Sequence, residues 1–110
     1  MLFLTNAPIL PLPEKTREAT IIASLISLDE AKSLVKGREF VSAVGHQSTA
    51  EALSLLLEVP VPFNRAQVFL QEGDEILAFS LKARIPEGKV LNLEELLQVG
   101  FTFTLIKRVR

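Results

Sequence analysis

Glu39-Phe40-Val41-Ser42-Ala43-Val44-Gly45-His46-Gln47-Ser48-Thr49-Ala50-Glu51 is the stretch on which the reading of the chain turns. Glu39 to Val44 carries β-branched and aromatic residues and reads as a short strand. Ser48 followed three residues later by Glu51 has the capping-box spacing, so a helix is expected to open there. Gly45 lets the chain turn sharply and keeps side-chain bulk away from a ligand. His46, the single histidine, then lies beside the free amides and positive dipole end of a helix. A strand-glycine-histidine-helix junction of this kind makes a small anion site with one titratable group.

The flanking segments fit an open sheet. Leu2-Phe3-Leu4-Thr5 is a first strand ending at Asn6. Pro8, Pro11 and Pro13 exclude both helix and central strand from Ala7 to Lys15. The Ala19–Ile26 run is apolar on both faces, as in a strand buried on two sides or at a subunit contact. Ser27 with Glu30, and Asn92 with Glu95, repeat the capping-box spacing and open two more helices. Lys36-Gly37 and Gly100 end them, a basic last turn and two closing glycines. Strand-helix-strand-helix order implies some parallel pairing.

From Arg65 the period becomes two. A hairpin turning near Gly73 and returning through Glu75 to Lys82 is expected, with Arg65 opposite Ser80 or Leu81. Ser80, Lys82 and Arg84 share a face of the return strand. Ile85-Pro86-Glu87-Gly88-Lys89 is a charged loop with a glycine able to hinge. Phe101 to Ile106 alternates as a last strand, followed by a basic tail. The sum is α+β: a single domain over residues 1–110, a mixed β-sheet of about five to six strands with three short helices.

Composition narrows the function classes. Cysteine is absent, which removes disulfides, thiolate nucleophiles and the usual structural zinc sites. One histidine and no acidic cluster give no reason to expect a metal or other cofactor. The formal net charge of −1 argues against bulk electrostatic binding of long nucleic acid. A compact nucleotide held by a few local cations remains compatible. No apolar stretch approaches the roughly 18 residues that cross a bilayer, and an intracellular, soluble, cytoplasmic protein is expected.

Taken singly, each candidate has an ordinary structural role. A lone histidine is commonly a core or capping residue with both ring nitrogens satisfied. Arg65 and Arg84 would be exposed cations, Glu87 a solvated loop carboxylate and Asn6 a turn residue. Together they describe something else. His46 could donate a proton, Arg65 and Arg84 could neutralise a phosphodiester and its transition state, and Glu87 could orient His46. Asn6 could read a base or ribose.

Leu4-Thr5-Asn6-Ala7, Ser42-Ala43-Val44-Gly45-His46-Gln47-Ser48-Thr49, Val61-Pro62-Phe63-Asn64-Arg65 and Leu81 to Leu91 occur in an order that resembles the viral ring nuclease family, the type III anti-CRISPR proteins. The Gly-His-x-Ser-Thr and Arg-x-x-Glu-Gly-Lys segments are the most specific parts. The resemblance implies a homodimer that binds cyclic tetra-adenylate and cuts it, without metal, into linear di-adenylates. It places catalytic roles on His46, Arg84 and Glu87. Ligand binding falls on Asn6, Gly45, Ser48 and Thr49, and further on Asn64, Arg65 and Ser80. Between Ala7 and Pro13 the chain departs from the pattern, with Pro8-Ile9-Leu10-Pro11 where family members have a Phe-Ser-type sequence.

The chemistry suits the inventory, because a ribonucleotide carries its own nucleophile in the 2′-hydroxyl. The competing expectation is a binding module without catalysis, either a messenger sponge or a small dimeric regulator acting on nucleic acid.

Overall fold

The computed structural model describes residues 1–83 and 91–110. Arg84, Glu87 and the expected hinge at Gly88 lie outside the described residues. Among the described residues eight elements occur in chain order: β1 (Leu2–Thr5), β2 (Ile21–Ile26), α1 (Leu28–Lys36), β3 (Phe40–Ala43), α2 (Gln47–Leu57), β4 (Glu75–Leu81), α3 (Leu93–Val99) and β5 (Phe101–Arg108). The strands form one sheet in the order β2-β5-β4-β1-β3. β3, β1 and β4 run parallel, and β5 is antiparallel to both β4 and β2. The mixed five-stranded sheet with three helices is the α+β architecture expected from the sequence. Among the described residues, no helix is long and apolar enough to cross a membrane.

The helices lie on one face of the sheet. Alternation along each strand sends Leu2, Leu4, Leu77, Phe79 and Phe103 into the same core as Ala31, Val35, Leu53, Leu56, Leu57 and Leu96 from the helices. Phe79 stands at its centre, with ring centroids 5.3 Å from Phe103 and 5.8 Å from Phe101. Tilted contacts of this kind add attraction beyond the area they bury. α1 and α3 open on the expected caps: Ser27 and Glu30, and Asn92 and Glu95, exchange reciprocal side-chain-to-amide hydrogen bonds.

Three expectations need correction. The Arg65–Leu70 run does not form a hairpin with β4, because β1 and β5 already occupy both edges of that strand. Its period of two holds from Val68 to Leu70, while Ala66 is exposed. Val68 and Leu70 are buried against Ile76, Ala78 and Ile106, closing a smaller core on the sheet's other face. The Leu70 amide donates to the Pro11 carbonyl at 2.7 Å, and Arg108 Nη1 donates to the Leu70 carbonyl at 2.7 Å. The run is therefore an extended strap whose polar backbone is met by loop and side chain instead of a ladder.

β2 is not buried on both faces. Among the described residues it is an edge strand paired only with β5, and Ile22 and Leu25 are 53% and 73% exposed. α2 opens before Ser48, not at it. His46 is the N-cap residue in extended conformation, with its carbonyl accepting from the Ala50 amide at 3.0 Å. Ser48 is already helical and cannot cap, and Glu51 instead accepts from Gln47 Nε2 one turn away. Lys36 and Gly37 close α1 as expected, and with φ of −100° at Gly37 that end uses no left-handed residue. α2 does use one, with Glu58 at φ 58° and its amide donating to the Ser54 carbonyl.

Candidate functional site

Three parallel strands end on the same side of the molecule, and the site is built from the residues just beyond them. Asn6 succeeds β1, where the Thr5 hydroxyl donates to the Ala7 carbonyl at 2.8 Å and fixes the turn. Leu81 finishes β4 and leads into Lys82 and Ala83, and Val44-Gly45-His46 succeeds β3. The carboxyl ends of strands in an open sheet are where ligands of α/β proteins bind. Here they enclose a cavity of ≈ 570 Å³ floored by Phe79 and Leu81, with Asn6, His46, Thr49 and Lys82 supplying polar groups. The parallel β1–β4 pairing, rather than a hairpin, is what brings the end of β4 to His46.

His46 is exposed, and among the described residues its ring makes one hydrogen bond, Nδ1 to Thr49 Oγ1 at 3.2 Å. Among the described residues Nε2 has no hydrogen-bond partner, and the residue lines the cavity. The side chain does not cap α2, and the first turn of α2 contains no acidic residue. The first-turn amides and the dipole they express are thus not neutralised by their own cap. The bland reading of His46, both nitrogens satisfied within the fold, does not hold among the described residues.

The turn before α2 is pinned from one side. The Ser42 hydroxyl donates to the Pro62 carbonyl at 2.6 Å, the Asn64 amide to the Val44 carbonyl at 2.9 Å, and Asn64 Nδ2 to the Ser42 carbonyl at 2.6 Å. Asn64 therefore spends a side-chain donor on β3, and its visible work is holding the 62–65 segment against the turn. Arg65 comes next, with Nε donating to the Gly45 carbonyl at 3.3 Å and its guanidinium 5.7 Å from the centre of the Phe63 ring. A methyl group on Gly45 would come within 3.2 Å of Arg65 Cγ. Close approach of Arg65 is the reason for glycine here, not a positive φ.

Of the residues proposed from sequence, Asn6, His46 and Thr49 line the cavity. Gly45, Ser48, Asn64 and Arg65 belong to the same turn without lining it. Ser80 is placed opposite Thr102 on the sheet's other face, away from the helices, and does not line the cavity. Lys82 was missed. It lines the cavity, its amide donates to the Gly100 carbonyl at 2.9 Å, and its aliphatic stem lies against Gly100. The signal available was a lysine just past a buried strand on the side where the parallel strands end. Locally the site is cationic: Lys82 and Arg65 flank a helix N-terminus, although the whole chain carries a formal charge of −1. Such an arrangement suits an anion of nucleotide size.

Known proteins share both sequence and fold. The chain is 42% identical to uncharacterized protein 26 of Sulfolobus islandicus filamentous virus over 110 residues, covering 99% of this chain and 92% of that protein. It is 44% identical to uncharacterized protein ORF117 of Acidianus two-tailed virus over 113 residues, covering 100% and 95%. Among solved structures, B116 of Sulfolobus turreted icosahedral virus superposes with a TM-score of 0.81 at 28% identity, over 96% of this chain and 97% of that one. The STIV B116-like family model matches residues 2–103, and the chain accordingly belongs to the STIV B116-like family.

Proposed function

We propose that the protein is a metal-independent ring nuclease that cleaves cyclic tetra-adenylate to linear di-adenylates with 2′,3′-cyclic phosphate ends, switching off type III CRISPR signalling in the cytoplasm of an infected host. The observation that carries this reading is His46, which lines a cavity of nucleotide size at the N-cap of a helix whose end its side chain does not cap. In each cut the 2′-oxygen forms a bond to phosphorus and the bond from phosphorus to the 5′-oxygen breaks. The 2′-hydroxyl proton passes to water, and His46 protonates the departing 5′-oxygen. First-turn amides of α2 and Lys82 offset the charge of the phosphorane. Arg84 and Glu87 take their parts, charge stabilisation and orientation of His46, from the sequence resemblance.

A ring of four nucleotides has twofold symmetry, and a homodimer would present one His46 to each of two opposite phosphates. The exposed apolar edge at Ile22 and Leu25 is the surface this reading assigns to the contact. Sedimentation showing only monomer at micromolar concentration would remove that part.

The test is incubation with cyclic tetra-adenylate and excess EDTA, then chromatography of the nucleotides. Linear di-adenylate is expected from the wild type, and His46→Ala should lose roughly 10²–10⁴ in rate while retaining the ring. Tight binding with intact ring recovered would make the protein a sponge. Cleavage surviving His46→Ala unchanged would remove the histidine from the chemistry.

A further inference from the structure

We infer that Thr49 is a positioning residue for His46, holding the imidazole so that Nε2 faces the cavity whatever its protonation state. Thr49 sits one turn into α2, at the third residue after the N-cap, and is 9% exposed. A threonine hydroxyl inside a helix commonly turns back to the carbonyl four residues earlier. Here that carbonyl belongs to Gly45 and accepts from Arg65 Nε at 3.3 Å, while Thr49 Oγ1 lies 3.2 Å from His46 Nδ1. The Thr49 hydroxyl is thus engaged with the imidazole, and the Gly45 carbonyl takes a donor from Arg65.

A hydroxyl both donates and accepts, which few side chains of this size can do. Toward a neutral ring the hydroxyl donates to Nδ1, and the ring proton resides on Nε2. Toward the imidazolium it accepts from Nδ1–H, and Nε2–H again points into the cavity. When the imidazolium gives its Nε2 proton to a departing oxygen, Nδ1–H remains on Oγ1 and the electron pair left on Nε2 faces the cavity. No heavy atom need move between these states. In this role Thr49 acts through His46.

The kinetic part rests on the reading of His46 as proton donor; the geometric part does not. With one histidine in the chain, the ring's ¹⁵N resonances need no assignment by mutation. Long-range ¹H–¹⁵N spectra of the ligand-free protein in alkaline buffer report the Nδ1 environment directly. Thr49→Val keeps the shape and removes the hydroxyl, and Thr49→Ser keeps the hydroxyl. Thr49→Val should shift the Nδ1 resonance, and Thr49→Ser should restore it. With cyclic tetra-adenylate, Thr49→Val should lower kcat by roughly 10- to 100-fold, within the whole contribution of proton transfer, with KM unchanged and Thr49→Ser close to wild type. An Nδ1 resonance that ignores Thr49→Val overturns the inference, as does a loss confined to KM, which would make Thr49 a ligand contact. If the wild type does not cleave the ring, the proposed function fails while the spectra still decide the Thr49–His46 pair.

Discussion

Asn64→Ala separates a residue that holds the site from one that touches its ligand. The substitution removes the 2.6 Å hydrogen bond from Nδ2 to the Ser42 carbonyl. It leaves the backbone bond from the Asn64 amide to the Val44 carbonyl and the Ser42 hydroxyl on Pro62. The loss is thus one partly buried bond, about 1 kcal/mol. For a 110-residue domain that is a fall in melting temperature of ~4 °C. Asn64→Asp sets a carboxylate against the same carbonyl, so the bond is lost and repulsion added, roughly 2–3 kcal/mol. Thermal unfolding monitored by circular dichroism, read beside the affinity for cyclic tetra-adenylate, measures both effects. The expected pattern is a graded loss of stability with a modest, parallel loss of affinity as Arg65 loosens. Full stability in Asn64→Ala together with lost binding would refute the reasoning and return Asn64 to the ligand.

Glu58→Gly should stabilise the protein by ~0.5–1 kcal/mol in denaturant unfolding, because a left-handed cap costs a side-chain-bearing residue more than it costs glycine. Gly45→Ala places a methyl group 3.2 Å from Arg65 Cγ. It should displace the guanidinium and weaken anion binding several-fold in titration calorimetry, with a melting temperature near that of the wild type. Gly100→Ala meets two obstacles, φ of 85° and Lys82 Cδ at 2.9 Å from the new methyl. About 1–3 kcal/mol of stability should be lost to backbone strain, along with the placement of Lys82; chemical denaturation beside anion titration reads both.

Much of the chain was legible locally. Capping pairs at Ser27–Glu30 and Asn92–Glu95, the proline-bounded end of α2 and the alternation of β5 depend on neighbours within a turn or a few residues. These fixed the α+β class and placed His46 between strand and helix. The Ser48–Glu51 pair misled for the same local reason. Spacing alone does not say whether the chain becomes helical before or after the serine, and the extended backbone of His46 decides that.

Sequence by itself determined most of the elements, where His46 stands relative to a strand and a helix, and, through its match to the family model, membership of the STIV B116-like family. Tertiary structure alone decided who pairs with whom. β4 takes β1 and β5 as neighbours, leaving the Arg65–Leu70 run to strap the far face although its pattern suits a strand. It also decided that Ser80 turns from the cavity while Lys82 enters it, and that Asn64 spends its amide on β3. The physical reason is that periodicity records how a segment meets a surface, one face in and one face out. Which surface it meets is set by competition among all segments for a limited number of strand edges and sheet faces.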